Sequence, residues 1–455
     1  MSFRERETGA ARECEVQVAR ECEVQAARER EVQEARERCA SLVRAGEALA
    51  ARPAAEIHAA LGAACAHWLE AADPARRAGE RALSAHYRVP EAAIARVLDA
   101  GFAAWTERAL RGRVALELGD PRALDQFVEL GGARRMAAGP RLGVVLASRG
   151  VPTTPVGDAI DLLSVKAPVW LKPASGADDL AARFVRTLTE IDAGIGAAIH
   201  VSAEAGDAPT SVAALEAAEL VVATGRTETL AQLGPVVGSG ARLVLHGPRL
   251  SAAVLTRNAL DADLDRCVQA LADDVAFAGQ AGCLSPVVAW IEGGGSQDLL
   301  EPIHRACVER WPAPARAEGD AGERAAWAEW AALADIERAG GTAGGREGGP
   351  DSGWSILWRV GPEPPAPPPA PRILVLSPVS LAAEVVDLCA RVRGMVATVG
   401  IAGTAAEVER LTKPLAHAGV ERVAPLGRMQ RPPADWRRDG RPSIADLVRW
   451  IDREG

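Results

Sequence analysis

Short apolar runs alternate with amphipathic stretches from residue 141 onward. A run of four or five apolar residues favours a buried strand, while apolar spacings of three and four favour a helix. Strands that alternate with helices predict a parallel sheet covered on both faces, which is the candidate cofactor-binding unit. The predicted strands are 142–145, 168–171, 197–201, 220–223 and 243–245, with helices over 177–188, 212–218 and 227–233.

A second α/β pattern follows Cys283, after a helix-like run over 260–277. Two segments interrupt it, one rich in glycine (340–350) and one rich in proline (362–371), and both are expected as loops or spacers outside packed cores. The predicted strands of this unit are 287–291, 354–358, 373–376 and 398–401, with helices over 382–392, 405–416 and, at the end, 444–451.

The first 118 residues have a helical pattern without strand signals. An octapeptide of the form Ala-Arg-Glu-Cys-Glu-Val-Gln-Xaa, with the eighth residue variable, repeats from residue 11 and fades by residue 38. Eight residues advance a helix by about 80° beyond two turns, so the repeated valines spiral around it and form no coiled-coil seam. The Arg and Glu content favours an exposed single helix held by charge pairs. We therefore expect a solvated appendage here, followed by packed helices over 49–118.

Composition restricts the function classes. The chain has 455 residues, 48% of them hydrophobic and 25% charged, which is typical of a globular protein of two or more domains. The formal charge of −9 gives no support for nucleic-acid binding. No segment has the apolar length of a membrane span, and the charged N-terminus differs from a signal peptide, so a cytoplasmic location is expected. The cysteines have no zinc-type spacing, and no metal is predicted.

One cysteine lies where a nucleophile is expected. Cys283 stands among small residues in Gly279-Gln280-Ala281-Gly282-Cys283-Leu284-Ser285-Pro286, between the helix-like run and a predicted strand. The neighbouring glycine allows close approach of a ligand, and a backbone N–H beside the sulfur could stabilise an oxyanion. A buried packing cysteine is the alternative interpretation.

Polar groups follow two predicted strands of the first unit. Lys172 ends one strand and is followed by Ser175, which suits a phosphate or a ribose at the carboxyl end of a parallel sheet. The turn Gly225-Arg226-Thr227 follows another strand and opens a helix, whose free N–H groups favour an anion. An exposed lysine and an ordinary helix cap are the alternatives.

Four segments together resemble the acyl-CoA reductases of the LuxC family, a branch of the aldehyde dehydrogenase superfamily. The resemblance extends from about residue 141 to the C-terminus. It implies an aldehyde-dehydrogenase-like α/β fold: a Rossmann-like cofactor domain, a second α/β catalytic domain and an N-terminal helical extension. The segments are 165–175, 223–229, 280–286 and 425–440, in the family's order.

The predicted domain boundaries follow from the residue patterns and from the family resemblance together. They are a charged helical extension over 1–48, a cofactor-binding domain with N-terminal helices over 49–255, a catalytic cysteine domain over 256–430, and a C-terminal helix and tail over 431–455. Assembly as a homo-oligomer or within a fatty acid reductase complex is left open.

The resemblance also implies the chemistry. Cys283 would be the nucleophile toward an acyl-CoA or acyl-carrier-protein thioester, and Lys172 would contact the adenosine ribose. Oxidising relatives carry a water-activating glutamate where this chain has Leu245-His246, which favours reduction, with His246 as a proton donor or a packed residue. A lysine and a hydroxyl without a nearby acid favour NADPH over NADH.

Two positions depart from the family. Gly150 replaces an asparagine that can donate to the oxyanion, and Arg226 replaces a serine. These departures keep a second hypothesis open: a catalytically degenerate paralogue that serves as a binding or scaffold subunit.

Overall fold

The structure is a computed structural model. It describes residues 3–148, 150–174, 179–294, 296–312, 321–341, 343–349 and 351–454, with side chains from residue 24 onward except at 296, 321 and 343. Of the predicted site residues, Ser175 lies outside the described residues.

The secondary structure follows the predicted order through most of the chain. The helices are α1 (Phe3–Ala50), α2 (Ala54–Leu69), α3 (Pro74–Tyr87), α4 (Glu91–Phe102), α5 (Glu107–Leu118), α6 (Thr154–Ser164), α7 (Asp179–Ile191), α8 (Ala193–Gly196), α9 (Pro209–Ala217), α10 (Thr227–Ala231), α11 (Arg257–Ala262), α12 (Leu264–Val275), α13 (Leu300–Arg310), α14 (Ala321–Ala339), α15 (Val385–Ala390) and α16 (Ala405–His417). The strands are β1 (Val128–Leu130), β2 (Ala133–Ala138), β3 (Gly143–Leu146), β4 (Val169–Lys172), β5 (Ile199–Val201), β6 (Leu220–Thr224), β7 (Arg242–His246), β8 (Leu250–Leu255), β9 (Pro286–Glu292), β10 (Ala343–Gly349), β11 (Trp354–Arg359), β12 (Ile373–Val379), β13 (Val396–Ala402), β14 (Arg422–Pro425) and β15 (Arg449–Arg453).

The first parallel sheet has the strand order β5-β4-β3-β6-β7. Its strands were all predicted, because each is a short, nearly continuous apolar run such as the buried Val169, Trp170 and Leu171. The chain moves outward from β3 to β4 and β5, then returns to the other side of β3 at β6. Such a reversal of strand order opens a crevice at the carboxyl edge, where doubly wound sheets bind ligands.

The second sheet has the order β10-β11-β12-β9-β8-β13-β14. Its neighbouring strands are parallel except for the antiparallel pair β10 and β11. Because β8 pairs with β9 and β13, the change from one sheet to the other falls within 247–249. The predicted domain boundary after residue 255 would assign β8 to the wrong sheet.

Two interruptions of this unit have more structure than expected. Most of the glycine-rich segment forms the edge strand β10, since pairing with β11 supplies backbone hydrogen bonds that compensate for its flexible sequence. The proline-rich segment lies against the second sheet, where Trp290 Nε1 donates to the Glu363 carbonyl at 2.9 Å. Neither segment is a free spacer.

The long helix α1 is only partly an appendage. Val24 is 54% exposed, as expected for the repeat, but Ala35, Cys39 and Leu42 are buried in one cluster with Trp170 of the first sheet. The predicted solvated extension over 1–48 is therefore wrong for its last third. The apolar residues at 35, 39 and 42 give that part of the helix a continuous buried face.

The C-terminus is a strand where an amphipathic helix was predicted over 444–451. Residues Arg449–Arg453 pair with β2 in a small antiparallel sheet of β1, β2 and β15. Just before this strand, the Glu117 carboxylate accepts from the backbone N–H groups of Ser443, Ile444 and Ala445, at 3.1, 2.6 and 2.9 Å. Helical periodicity was misleading because this carboxylate and β2 satisfy the backbone that a helix would otherwise have paired internally.

Among the described helices, none has both the length and the apolar composition to cross a membrane.

Candidate active site between the two sheets

A three-residue connector brings the two sheets together at the site. Residues 247–249 join the carboxyl end of β7 directly to the amino end of β8. The carboxyl edge of the first sheet therefore faces the amino edge of the second. Since β9 runs parallel to β8 with Pro286 opposite Ser251, the residues just before β9 lie at this junction. Ser251 Oγ donates to the Cys283 carbonyl at 2.7 Å, which places the predicted nucleophile there.

Tertiary contacts fix the backbone before Cys283. Ala278, Gly279 and Gln280 have positive φ angles of 49°, 65° and 64°. At Gly279 a Cβ would lie 2.7 Å from Trp311 Nε1, so a larger residue does not fit. The Gln280 amide accepts from Ile373 N at 2.9 Å and donates to two carbonyls. A strained loop with this many partners holds its cysteine in one position.

The loop after β3 lies against the loop that contains Cys283. A Cβ on Gly150 would lie 3.6 Å from the Ala281 carbonyl oxygen, in ordinary contact. A Cβ on Gly282 would lie 2.9 Å from Val151 Cγ2. Gly150, where the resemblance implies an asparagine, therefore lies beside the cysteine loop.

Cys283 is exposed, yet the surrounding protein removes enough water to raise the pKa of its thiol. The Arg438 charge lowers the pKa, whereas Asp439 and Glu421 raise it. The thiol is accessible to a substrate but is not activated by its electrostatic surroundings alone. Ionisation then requires a group that accepts the proton.

His246 is 8% exposed, and its Nδ1 lies 2.6 Å from Asp439 Oδ2. Burial works against ionisation of Asp439, but the hydrogen bond with His246 and the charges of Arg438 and Arg249 hold its pKa below the ordinary value. Arg249 Nε lies 3.5 Å from Asp439 Oδ1 and 3.4 Å from Glu421 Oε1. The histidine thus contacts a charged cluster, of which Arg438, Asp439 and Glu421 act electrostatically on the Cys283 thiol.

The predicted cofactor residues share the carboxyl edge of the first sheet. Lys172 ends β4 beside β3, is 7% exposed, and donates from Nζ to the Pro173 carbonyl at 2.8 Å. Gly225 N donates to the His246 carbonyl at 3.1 Å, and Arg226 is the N-cap of α10 without a capping side-chain bond. Thr227 is exposed at the first position of α10. This edge, with its cation, hydroxyl and helix N–H groups at the crevice, suits a dinucleotide.

Sequence reasoning missed a buried carboxylate that supports the cysteine loop. Asp274 is 1% exposed and accepts from Gly427 N at 2.5 Å and Met429 N at 2.9 Å. Gln430 Nε2 donates to the Asp274 carbonyl at 2.7 Å and to Ser285 Oγ at 3.2 Å. The sequence did contain a signal for this carboxylate: an aspartate on the apolar face of the predicted helix. A carboxylate that is buried there requires hydrogen-bond partners. Arg249, Glu421, Arg438 and Asp439 were not assigned roles either.

Asp274 gives a pH prediction. Burial raises its pKa to about 7, although three hydrogen bonds oppose the increase. Between about pH 4 and 7 the folded chain then holds a proton that the unfolded chain has lost, so this group's contribution to stability falls as the pH rises. We expect the free-energy difference between the wild type and Asp274→Asn, measured by urea unfolding, to shrink by up to about 1.4 kcal/mol per pH unit. A difference independent of pH would contradict a raised pKa.

Comparison with known proteins agrees with this architecture. The chain is similar to the NAD-dependent benzaldehyde dehydrogenase of Corynebacterium glutamicum, with 17% identity, a TM-score of 0.67, and coverage of 93% of this chain and 90% of that one. It is similar to aldehyde dehydrogenase 21 of Physcomitrella patens, with 14% identity, a TM-score of 0.66, and coverage of 91% and 89%. These likenesses show the aldehyde-dehydrogenase-like fold. No curated protein sequence matches the chain.

A family model described as acyl-CoA reductase (LuxC) matches residues 51–450. The match confirms the four-segment resemblance and extends it through the N-terminal helices, upstream of the expected start near residue 141. Acyl-CoA reductases of this kind use a nicotinamide cofactor. The chain therefore belongs to the acyl-CoA reductase (LuxC) family.

Proposed function

We propose that this protein reduces a fatty acyl-CoA, or another acyl thioester, to the aldehyde with NADPH through a thioester on Cys283. The observation that carries the proposal is the position of Cys283: an exposed thiol on a fixed loop at the amino edge of β9. That edge faces the carboxyl edge of the sheet with the dinucleotide crevice. Hydride transfer requires this proximity of nucleophile and cofactor.

The chemistry balances with the residues present. The Cys283 thiolate attacks the acyl carbonyl, the bond to the CoA sulfur breaks, and CoA leaves as a thiolate. His246 takes the thiol proton and returns it to the leaving CoA sulfur. Lys172, Ser175 and the Gly225-Arg226-Thr227 turn would hold a nicotinamide cofactor, which would supply the hydride. Addition of the hydride to the acyl carbon would give a thiohemiacetal oxyanion on Cys283. Its collapse releases the aldehyde and the Cys283 thiolate, and one proton from solvent restores the thiol.

His246 also supports reduction rather than oxidation of an aldehyde. The carboxylate that activates water in oxidising relatives is replaced near this point by an imidazole, already engaged by Asp439. A thioester that water does not attack persists long enough to be reduced.

Gly150 supports a second candidate, a scaffold subunit of a fatty acid reductase complex with no catalysis of its own. Gly150 lies beside the cysteine loop and lacks the side-chain amide of the asparagine that the resemblance implies. Loss of one oxyanion donor lowers the rate by about 10²–10³-fold. Consumption of NADPH with acyl-CoA and acyl-carrier-protein substrates separates the two candidates, because a scaffold consumes none.

Acyl-enzyme trapping tests the proposal directly. The full chain is mixed with a fatty acyl-CoA in the absence of any nicotinamide, quenched in acid and digested. We expect the acyl group on the peptide that contains Cys283 and release of CoA in equal amount. Acylation of another residue, or none, would overturn the assignment.

Lys172 provides a prediction on cofactor choice. Lys172→Met keeps most of the side-chain volume but removes the charge, and we expect a larger increase in KM for NADPH than for NADH. A charge-assisted contact with a 2′-phosphate contributes about 1.5–3 kcal/mol, or roughly 10- to 100-fold. Steady-state kinetics with both cofactors measure the ratio, with the exposed Lys413→Met as the control. Equal losses would show that Lys172 contacts only the shared ribose.

A further inference from the structure

Two consecutive residues of the C-terminal segment bind two paired residues at the edge of the first sheet. Thr224 and His246 lie opposite each other at the ends of β6 and β7. Arg438 Nη2 donates to Thr224 Oγ1 at 2.9 Å, and Asp439 Oδ2 lies 2.6 Å from His246 Nδ1. Arg438 also pairs with Asp158 of α6 at 3.0 Å. The segment is thereby fastened to the carboxyl edge of the first sheet.

The backbone at Asp439 is shaped for this contact. Its φ is 54°, in the left-handed region that non-glycine residues seldom adopt and that aspartate tolerates better than most. Such a conformation persists only where surrounding contacts determine it, and it is common at functional sites. The Arg438 and Asp439 side chains supply those contacts.

We propose that Asp439 is a positioning residue that holds His246 in the protonation state and orientation required to exchange a proton with Cys283. The proposal rests on the proposed function. Beyond that function, it assigns a role to the pair of His246 and Asp439, which are 193 positions apart in the chain, in proton transfer at Cys283.

The role of Asp439 follows from hydrogen-bond chemistry. A carboxylate that also faces Arg249 and Arg438 can only accept, so the proton on the imidazole must reside on Nδ1. In the neutral ring Nε2 is then the nitrogen with the free electron pair. In the proposed function, this is the nitrogen that takes the thiol proton and returns it to the leaving sulfur.

The same carboxylate opposes ionisation of the thiol, which makes the proposal testable. The charged groups that act on the thiol are Arg438, Asp439 and Glu421, and Asp439 favours the neutral form. Around His246 a cavity of about 50 Å³ is also lined by Asp158, Asp161, Arg438 and Arg441. Removing the Asp439 charge should ease thiol ionisation while impairing proton transfer, and a general loss of structure would not produce that combination.

The experiment compares the wild type with Asp439→Asn, His246→Gln and the double variant. For Asp439→Asn we expect acylation by a fatty acyl-CoA to slow by about 10²-fold, as for other groups that orient a histidine. The midpoint of the pH profile for iodoacetamide alkylation of Cys283 should move to lower pH. In the His246→Gln background, Asp439→Asn should no longer slow acylation, because its slowing effect acts through the imidazole and residues that act as a unit are not additive.

Asp446→Asn is the matched control, since it makes the same change on the same segment at an ion pair with Arg441. It should leave acylation and alkylation as in the wild type. Nitrogen NMR of the seven histidines, with His246 assigned from His246→Gln, should show Nδ1–H in the wild type and a changed tautomer in Asp439→Asn. Additive losses, or an unchanged tautomer, would overturn the proposal. If the wild type forms no acyl-enzyme the proposed function fails, and the tautomer still decides the role of Asp439.

Discussion

Cys283→Ala is expected to form no acyl-enzyme and to lose nucleophilic catalysis, with a fall in kcat on the order of 10⁶-fold. The reason is that no other thiol is available at the junction: among the cysteines whose side chains are described, Cys283 is exposed and the others are buried. Single-turnover acylation by a fatty acyl-CoA and steady-state NADPH consumption measure the two losses.

Cys267→Ala is the matched control for this change. Its thiol is 6% exposed on α12 and donates to the Ala259 carbonyl at 3.5 Å. The control should retain activity, with at most a modest loss of stability. Acylation that persists in Cys283→Ala would assign the nucleophile elsewhere and refute the proposed mechanism.

Asp274→Ala is expected to lower both stability and activity. The change leaves the N–H groups of Gly427 and Met429 without their acceptor at a site that is 1% exposed. Each buried unsatisfied group costs about 1–3 kcal/mol, so we expect the two together to lower the free energy of unfolding by about 2–6 kcal/mol. Release of this segment also moves Gln430 from Ser285, which loosens the cysteine loop and slows acylation.

The neighbouring Asp273→Ala is the control, because Asp273 is on the same helix but its side chain is 55% exposed and pairs with Arg310. Asp273→Ala should lower the free energy of unfolding by no more than about 1 kcal/mol, as for other exposed ion pairs. Urea unfolding and acylation rates measure both variants. Equal destabilisation by the two changes would show that Asp274 does not anchor the loop.

The prediction of the fold succeeded where the signal is local. The strands from β3 to β7 follow from apolar runs a few residues long, and the capped helix α16 from its amphipathic spacing. The family segments carried the identification, since they are short motifs in a fixed order. The cysteine loop was also recognisable locally, because its glycines and small residues are contiguous in sequence.

The prediction failed where distant partners satisfy the backbone. Strand β15 has helical periodicity, but β2 and Glu117, more than 300 residues earlier, decide its conformation. The glycine-rich β10 has no strand propensity of its own and depends on its pairing with β11. The last third of helix α1 is packed and not solvated, because Ala35 and Leu42 are buried against an apolar face of the first sheet.

By itself the sequence determined the alternation of strands and helices, the family and the candidate nucleophile, since hydrophobic periodicity and short motifs are properties of neighbouring residues. Only the tertiary structure decided which sheet receives β8, how the two sheet edges meet at Cys283, and that Asp439 pairs with His246. These features are contacts between residues far apart in the chain, and their energies depend on burial and hydrogen-bond geometry. No local pattern encodes either quantity, because both exist only once the chain has folded.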